Sequence, residues 1–307
     1  MFKRQPSGKE WVKYSVTSCV LFGFTNFLIG DLATKYGIAG QFPIGLGQFL
    51  MWLAYHTCVR AHPAVYNQHR CVAGAGLLVR GANHLALIQV TFLAFEYADL
   101  AKVNQGVIAG LFTSGVVFCT VLFWLVYGEK IKLVTAAGML IILLGVVSVG
   151  IKPTSKDDAP GESVDYTNLL IAIAYALSSG VLIATNALIM RHYVRVVGFS
   201  PLQLNIDGFM VCAVVLIACF CLTETKYRML DIGKAILCSV TSMAATVSIT
   251  TALSVGKGGP IQAIDSLKSL IPLFLHVIVN GLLPSWLQLA GVGLGIAGAC
   301  VVAMAKD

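Results

Sequence analysis

Ten apolar segments of about 20 residues, separated by short connectors, leave this chain little choice but to fold inside a bilayer. They run approximately 12–34, 41–59, 73–95, 102–125, 132–151, 167–189, 201–223, 232–255, 260–281 and 285–304. Only 11% of residues are charged and 57% are hydrophobic. A soluble domain carries about 25% charged residues, so most of this surface faces something other than water. The expected fold is all-α integral membrane, with ten transmembrane helices and the lipid bilayer as its main partner.

The nine cysteines are odd in number, and most (Cys19, Cys119, Cys212, Cys219, Cys221, Cys238 and Cys300) lie inside apolar runs. None shows a metal-ligand spacing, so they read as small reduced hydrophobes, and neither a metal nor a cofactor is expected. A net charge of +7 without an arginine-rich tract points to basic loops between spans, not to nucleic acid. The first apolar run leads into further spans with no evident cleavage site, so a cleavable signal peptide is not expected. There is no N-x-[ST] glycosylation acceptor to report orientation.

An even number of spans puts both termini on one side. That side carries Lys3, Arg4, Lys9, Lys13, Arg60, Arg70, Lys130, Lys132, Arg191, Arg195, Lys257 and Lys306. The other carries Lys35, Lys102, Lys152, Lys156, Lys226, Arg228 and Lys234. The excess favours cytoplasmic termini. The terminus AMAKD is neither a KDEL nor a dilysine signal, so Golgi or other endomembranes and the plasma membrane both stay open.

The longest connector, KPTSKDDAPGESVD, lies at the midpoint of the chain. The segments on its two sides resemble each other. With one constant offset, Gly128, Ala137, Gly138 and Gly145 fall on Gly281, Ala290, Gly291 and Gly298. Five spans per half is an odd number, so the second copy must enter the membrane from the opposite side. The expected organisation is therefore a first five-helix repeat over 1–151, a linker loop over 152–166 and an inverted second repeat over 167–307. Many secondary transporters are built this way, with the substrate site between the repeats near the midplane.

The stretches LVRGANHLALIQVTFLAFEYADLAKVNQGVIAGLFTSGVVFCTVLFWLVYGEKIKLVTAAGMLIILLGVVSVG and GPIQAIDSLKSLIPLFLHVIVNGLLPSWLQLAGVGLGIAGACVVA resemble the drug/metabolite transporter superfamily, in its EamA-like and nucleotide-sugar-transporter-like ten-helix branches. Gly128-Glu129-Lys130 fits the family habit of a fourth span ending in G-E-[KR], followed by a fifth span with spaced glycines. In the second half Leu282 stands where the acidic residue would be. The resemblance implies ten spans, cytoplasmic termini, the five-plus-five inverted repeat and a transport role. The segment Ser266-Leu267-Lys268-Ser269-Leu270-Ile271-Pro272 resembles the ninth-span G-[AS]-L-N-K region of nucleotide-sugar transporters, but lacks the asparagine and displaces the lysine.

Polar residues inside the membrane are costly and tend to face a cavity or a partner. In the ninth span Gln262, Asp265, Ser269, Pro272 and His276 fall on one helical stripe. Lys268, three residues after Asp265, either attracts an anionic substrate or only neutralises Asp265. In the third span Arg80 and His84 share a face, with Asn83 beside them; Arg80 could instead snorkel to lipid phosphates. His84 is a proton site or a packing histidine. Asn26 in the first span, with Tyr175 and Asn186 in the sixth, could face one cavity or serve as interhelical glue. Gln203 and Asp207 in the seventh could extend that cavity, while Glu96 and Glu129 sit at span ends and read as structural. Gly291, Gly293, Gly295 and Gly298 permit close helix approach, within the protomer or across a homodimer.

No G-x-S-x-G, H-E-x-x-H or P-loop lysine motif is present, so an enzyme is not expected. The leading expectation is a secondary carrier that moves a small-molecule substrate by alternating access. Lys268 and Arg80 favour an anionic or phosphorylated metabolite such as a nucleotide sugar. The alternatives are an exporter of amphipathic metabolites or amino acids, which predicts Lys268 neutralised by Asp265, and a non-transporting scaffold or receptor.

Overall fold

The computed structural model describes residues 10–58, 70–129, 131–150, 165–281 and 284–304, and these contain helices and turns but no strands. The order is α1 (Glu10–Tyr36), α2 (Ile44–Cys58), α3 (Arg70–Leu100), α4 (Gln105–Leu111), α5 (Ser114–Tyr127), α6 (Leu133–Gly150), α7 (Tyr166–His192), α8 (Pro201–Leu222), α9 (Met229–Val255), α10 (Gly258–Asp265), α11 (Leu270–Asn280) and α12 (Trp286–Met304). Helices suit these apolar sequences because lipid offers the backbone no hydrogen-bond partners, so each segment must satisfy its own. Seven helical segments in the described residues are long and apolar enough to cross a membrane. The shorter α2, α6 and α12 occupy the second, fifth and tenth positions of the sequence pattern. Most of the linker expected over 152–166, and basic residues such as Lys3, Arg60, Lys130 and Lys306, lie outside the described residues.

Two of the ten segments are broken, and they are the fourth and the ninth. In the fourth, α4 stops at Leu111, and Phe112 and Thr113 intervene before α5. In the ninth, a 3-10 turn over Ser266–Ser269 separates α10 from α11. Both segments end on a left-handed glycine, Gly128 (φ 65°) and Gly281 (φ 68°), a conformation that costs glycine nothing. The packing repeats the correspondence: the first segment lies on the eighth as the third lies on the sixth. The second segment packs on the seventh and the fifth on the tenth.

The glycines that align the two halves are also the glycines that join them. A Cβ at Gly138 would lie 2.8 Å from the Gly298 carbonyl oxygen, and one at Gly145 would lie 2.6 Å from that of Gly291. One offset relates these two contacts, so α6 and α12 touch backbone to backbone through matching positions. The close-approach face is thus used within the protomer. Gly293 points elsewhere, with nothing within 4 Å of its missing Cβ.

A side chain at these positions forces the two helices apart. Gly138→Val or Gly145→Val should destabilise the detergent-solubilised protein by about 1–3 kcal/mol, the usual range for overpacking a close contact. Gly293→Val should leave the midpoint of thermal unfolding nearly unchanged. Equal effects at all three positions would remove the α6–α12 contact from the account.

Candidate functional site: a central cavity at the two broken helices

A cavity of about 700 Å³, its open mouth included, lies where the first, third, fourth, sixth, eighth and ninth segments meet. Apolar walls come from Phe22, Ile29, Leu87, Ile88, Phe112, Ile183, Met190 and Ile249. The polar groups are Thr25, Asn26, His84, Thr91, Asn186, Ser242, Thr246, Gln262, Asp265 and Lys268. Both helix breaks contribute, the fourth through Phe112 and the ninth through Asp265 and Lys268. Irregular backbone at membrane depth is tolerated where protein buries it or it lines a cavity, and these breaks satisfy that condition.

The two opposite charges in the lining are one ion pair. Lys268 Nζ donates to Asp265 Oδ2 at 2.6 Å, and the Ser18 hydroxyl donates to Asp265 Oδ1 at 2.6 Å. The ammonium lies 4.8 Å from the centre of the Phe22 ring, a cation–π contact. Both residues are buried. The 3-10 turn explains the geometry: at three residues per turn, positions i and i+3 eclipse, which sets Lys268 next to Asp265.

That turn also breaks the helical stripe expected of the ninth segment. Four residues advanced by about 120° instead of about 100° shift the phase by about 80°. Gln262, Asp265 and Lys268 face the cavity; Ser269 does not, and its hydroxyl bonds the Ser266 carbonyl. His276 packs 5.1 Å from the Phe27 ring instead. Of the other expected residues, Asn26, His84 and Asn186 reach the cavity. Asn186 keeps a buried Oδ1 with no protein donor, so a ligand donor would find an acceptor there.

The remaining expected residues are engaged elsewhere. Arg80 is fully buried and gives Nε and Nη2 to Asn205 Oδ1 at 3.3 and 2.9 Å; it does not snorkel. Asn83 donates to the Leu182 carbonyl at 3.3 Å, which joins α3 to α7. Tyr175 stacks on Tyr97 at 5.7 Å. Asp207 pairs with His56 Nε2 at 2.8 Å and accepts from Gln203 at 3.4 Å, tying α8 to α2. Glu129 pairs with Arg191, as its place at a span end implied.

Sequence reading missed Thr25, Thr91, Ser242 and Thr246. Hydroxyls in membrane helices usually bond their own backbone, as Thr25 does to Leu21 and Thr246 to Ser242, so nothing in the sequence singles them out.

Beyond the cavity, each end of the bundle is tied by ions. On the side away from the termini Lys35 reaches Asp31 at 3.0 Å and Asp231 at 3.1 Å, and Lys234 reaches Asp31 at 2.6 Å. Tyr36 donates to Asp231 at 2.8 Å and packs at a tilt against Tyr227, whose phenol burial holds above its ordinary pKa. On the terminus side, Arg191 lies over Phe123 and Tyr127, and Arg195 donates to the Ser254 and Gly256 carbonyls.

This architecture can be set against known proteins. One solved crystal structure covers 96% of this chain and 96% of its own, with a TM-score of 0.62 at 17% identity, a likeness of fold alone. Residues 170–304 match the EamA-like transporter family. That match lies in the second half of the chain and supports the drug/metabolite transporter superfamily. The matched family is one of membrane transporters, and the described helices are those of a multi-pass membrane protein. No curated protein matches it.

The ion pair makes a specific demand on stability. Asp265→Ala strands a buried ammonium and should cost about 3–5 kcal/mol, whereas Asp265→Ala combined with Lys268→Met removes both charges and should recover most of that loss. Denaturant unfolding of the two variants beside the parent checks this. A double variant as unstable as the single one would mean the carboxylate serves something other than Lys268.

Proposed function

We propose that this transporter is a secondary carrier whose central cavity takes a small amphipathic solute, uncharged overall or zwitterionic as an amino acid is. The observation that carries this reading is the Asp265–Lys268 pair. Its charges cancel, so an anion entering the cavity gains attraction to Lys268 but meets repulsion from Asp265 at nearly the same distance. A solute bearing one charge of each sign can satisfy both groups at once, and one with no charge disturbs neither. The apolar walls suit a hydrocarbon body, while Asn26, Asn186 and the hydroxyls supply neutral hydrogen bonds.

The anionic-metabolite reading, nucleotide sugars included, retains one point in its favour: Lys268 does line the cavity. It would require the ammonium to leave Asp265 for the substrate, and Arg80 lends no direct help because it does not line the cavity. We further propose that the halves 1–151 and 167–307 rock about this cavity, with both termini cytoplasmic. The Asp31–Lys35–Asp231–Lys234 cluster and the Arg191–Glu129 pair, at opposite ends, would then be remade in turn.

Thermal stabilisation of the purified protein by a metabolite panel tests the reading, with Lys268→Ala run beside it. A ligand at 100 times its dissociation constant adds about 2.7 kcal/mol. Neutral or zwitterionic amphipathic compounds should stabilise the parent. Stabilisation by nucleotide sugars or sugar phosphates alone, lost in Lys268→Ala, would transfer the case to the anion carrier.

A further inference from the structure

Arg80 presents a problem that the transport site does not solve. Three cationic side chains are buried among the described residues: Arg80, Arg191 and Lys268. Arg191 has Glu129 and Lys268 has Asp265, but Arg80 has no acidic partner. Its guanidinium is fully buried, and a neutral carboxamide oxygen, that of Asn205, takes two of its donors. The Phe209 ring, 5.3 Å away, adds a cation–π contact. Nη1 is buried without any partner. A buried charge left uncompensated is strongly destabilising, so Nη1 is suited to a negative partner.

The surroundings of Nη1 suit a compact negative group. Gln48 bonds His84 Nε2 at 3.2 Å, and its Oε1 is a second buried polar atom without a partner. Gln48 bonds His84, His84 stacks on Phe209, and Arg80 lies over the same ring, so Arg80 and Gln48 border one small region between α2, α3 and α8. A half-turn of the Gln48 carboxamide would give its carbonyl to His84 and free its NH₂ to point the other way. Two donors, one of them cationic, would then be available together. Asn205 is itself anchored by Thr250, so Arg80 is held in place without using Nη1. His84 ties the region to transport: one helical turn from Arg80, it stacks on Phe209 at 3.8 Å and lines the cavity.

We propose that Arg80, with Gln48, forms a site for a compact monovalent anion behind the His84 wall of the cavity. A halide-sized ion and a small free carboxylate share this chemistry. The site does not depend on which solute the cavity takes.

The test is thermal unfolding of the purified protein at constant ionic strength, with gluconate replaced stepwise by chloride or, separately, by formate. The parent should show a saturable rise in midpoint with at least one of the two. A response to chloride identifies a halide-sized ion, and a response to formate alone identifies a small free carboxylate. Arg80→Gln should abolish the response, while Lys268→Ala should keep it. If Arg80→Gln fails to fold, Arg80→Lys retains a cation in poorer geometry and should raise the half-saturating concentration several-fold. No saturable response in the parent, a response that survives Arg80→Gln, or an unchanged half-saturation in Arg80→Lys overturns the site.

Discussion

A lipid-embedded backbone must keep its amide groups paired, and this constraint organises the molecule: where it leaves the α-helix it turns tightly and keeps its hydrogen bonds. The chain breaks two membrane segments, at Phe112–Thr113 and at Ser266–Ser269, and surrounds both breaks with other helices. The cavity lies where they meet. The 3-10 turn in the ninth segment sets Asp265 beside Lys268, and that pairing makes the cavity's two opposite charges cancel. Fold, electrostatics and the proposed solute class therefore share one local departure from α-helical geometry.

Packing around the breaks depends on small residues at particular places. A Cβ at Gly23 would lie 2.9 Å from the Lys268 carbonyl oxygen, and one at Gly115 would lie 3.3 Å from that of Gly180. In both cases an unbroken segment, α1 or α7, comes close to a broken one at its break. The same logic holds α6 against α12. Glycine allows these approaches because, between membrane helices, contact distance replaces the hydrophobic effect as the source of cohesion.

Much of the fold was legible because its signals are long-range in composition. Apolar runs of bilayer length and one recurring glycine offset need no knowledge of side-chain geometry. The site was legible only in part. Asn26, Asn186, Gln262, Asp265 and Lys268 stood out as polar groups in apolar helices, and they do meet. Arg80, Asn83, Tyr175 and Asp207 stood out for the same reason but bind neighbouring helices, and Gln203 bonds Asp207 within its own. Sequence gives a residue's depth but not the partner waiting for it: nothing in the α3 sequence reveals Asn205, and nothing in α8 reveals His56. Ser269 failed differently, because a 3.6-residue period cannot anticipate a 3-10 turn.

The central claim is that the solute passes through the cavity between the broken helices. Its most direct test is alkylation of Asn186→Cys by a small water-soluble thiol reagent, with the exposed native cysteines Cys58, Cys71, Cys221 and Cys300 replaced. Val147→Cys, which faces outward from α6, serves as the lipid-side control. The account predicts that Asn186→Cys reacts, that transported solute protects it in proportion to occupancy, and that Val147→Cys stays inert. Continued transport with Asn186→Cys unreactive, or labelled at the same rate with and without solute, would place the pathway elsewhere.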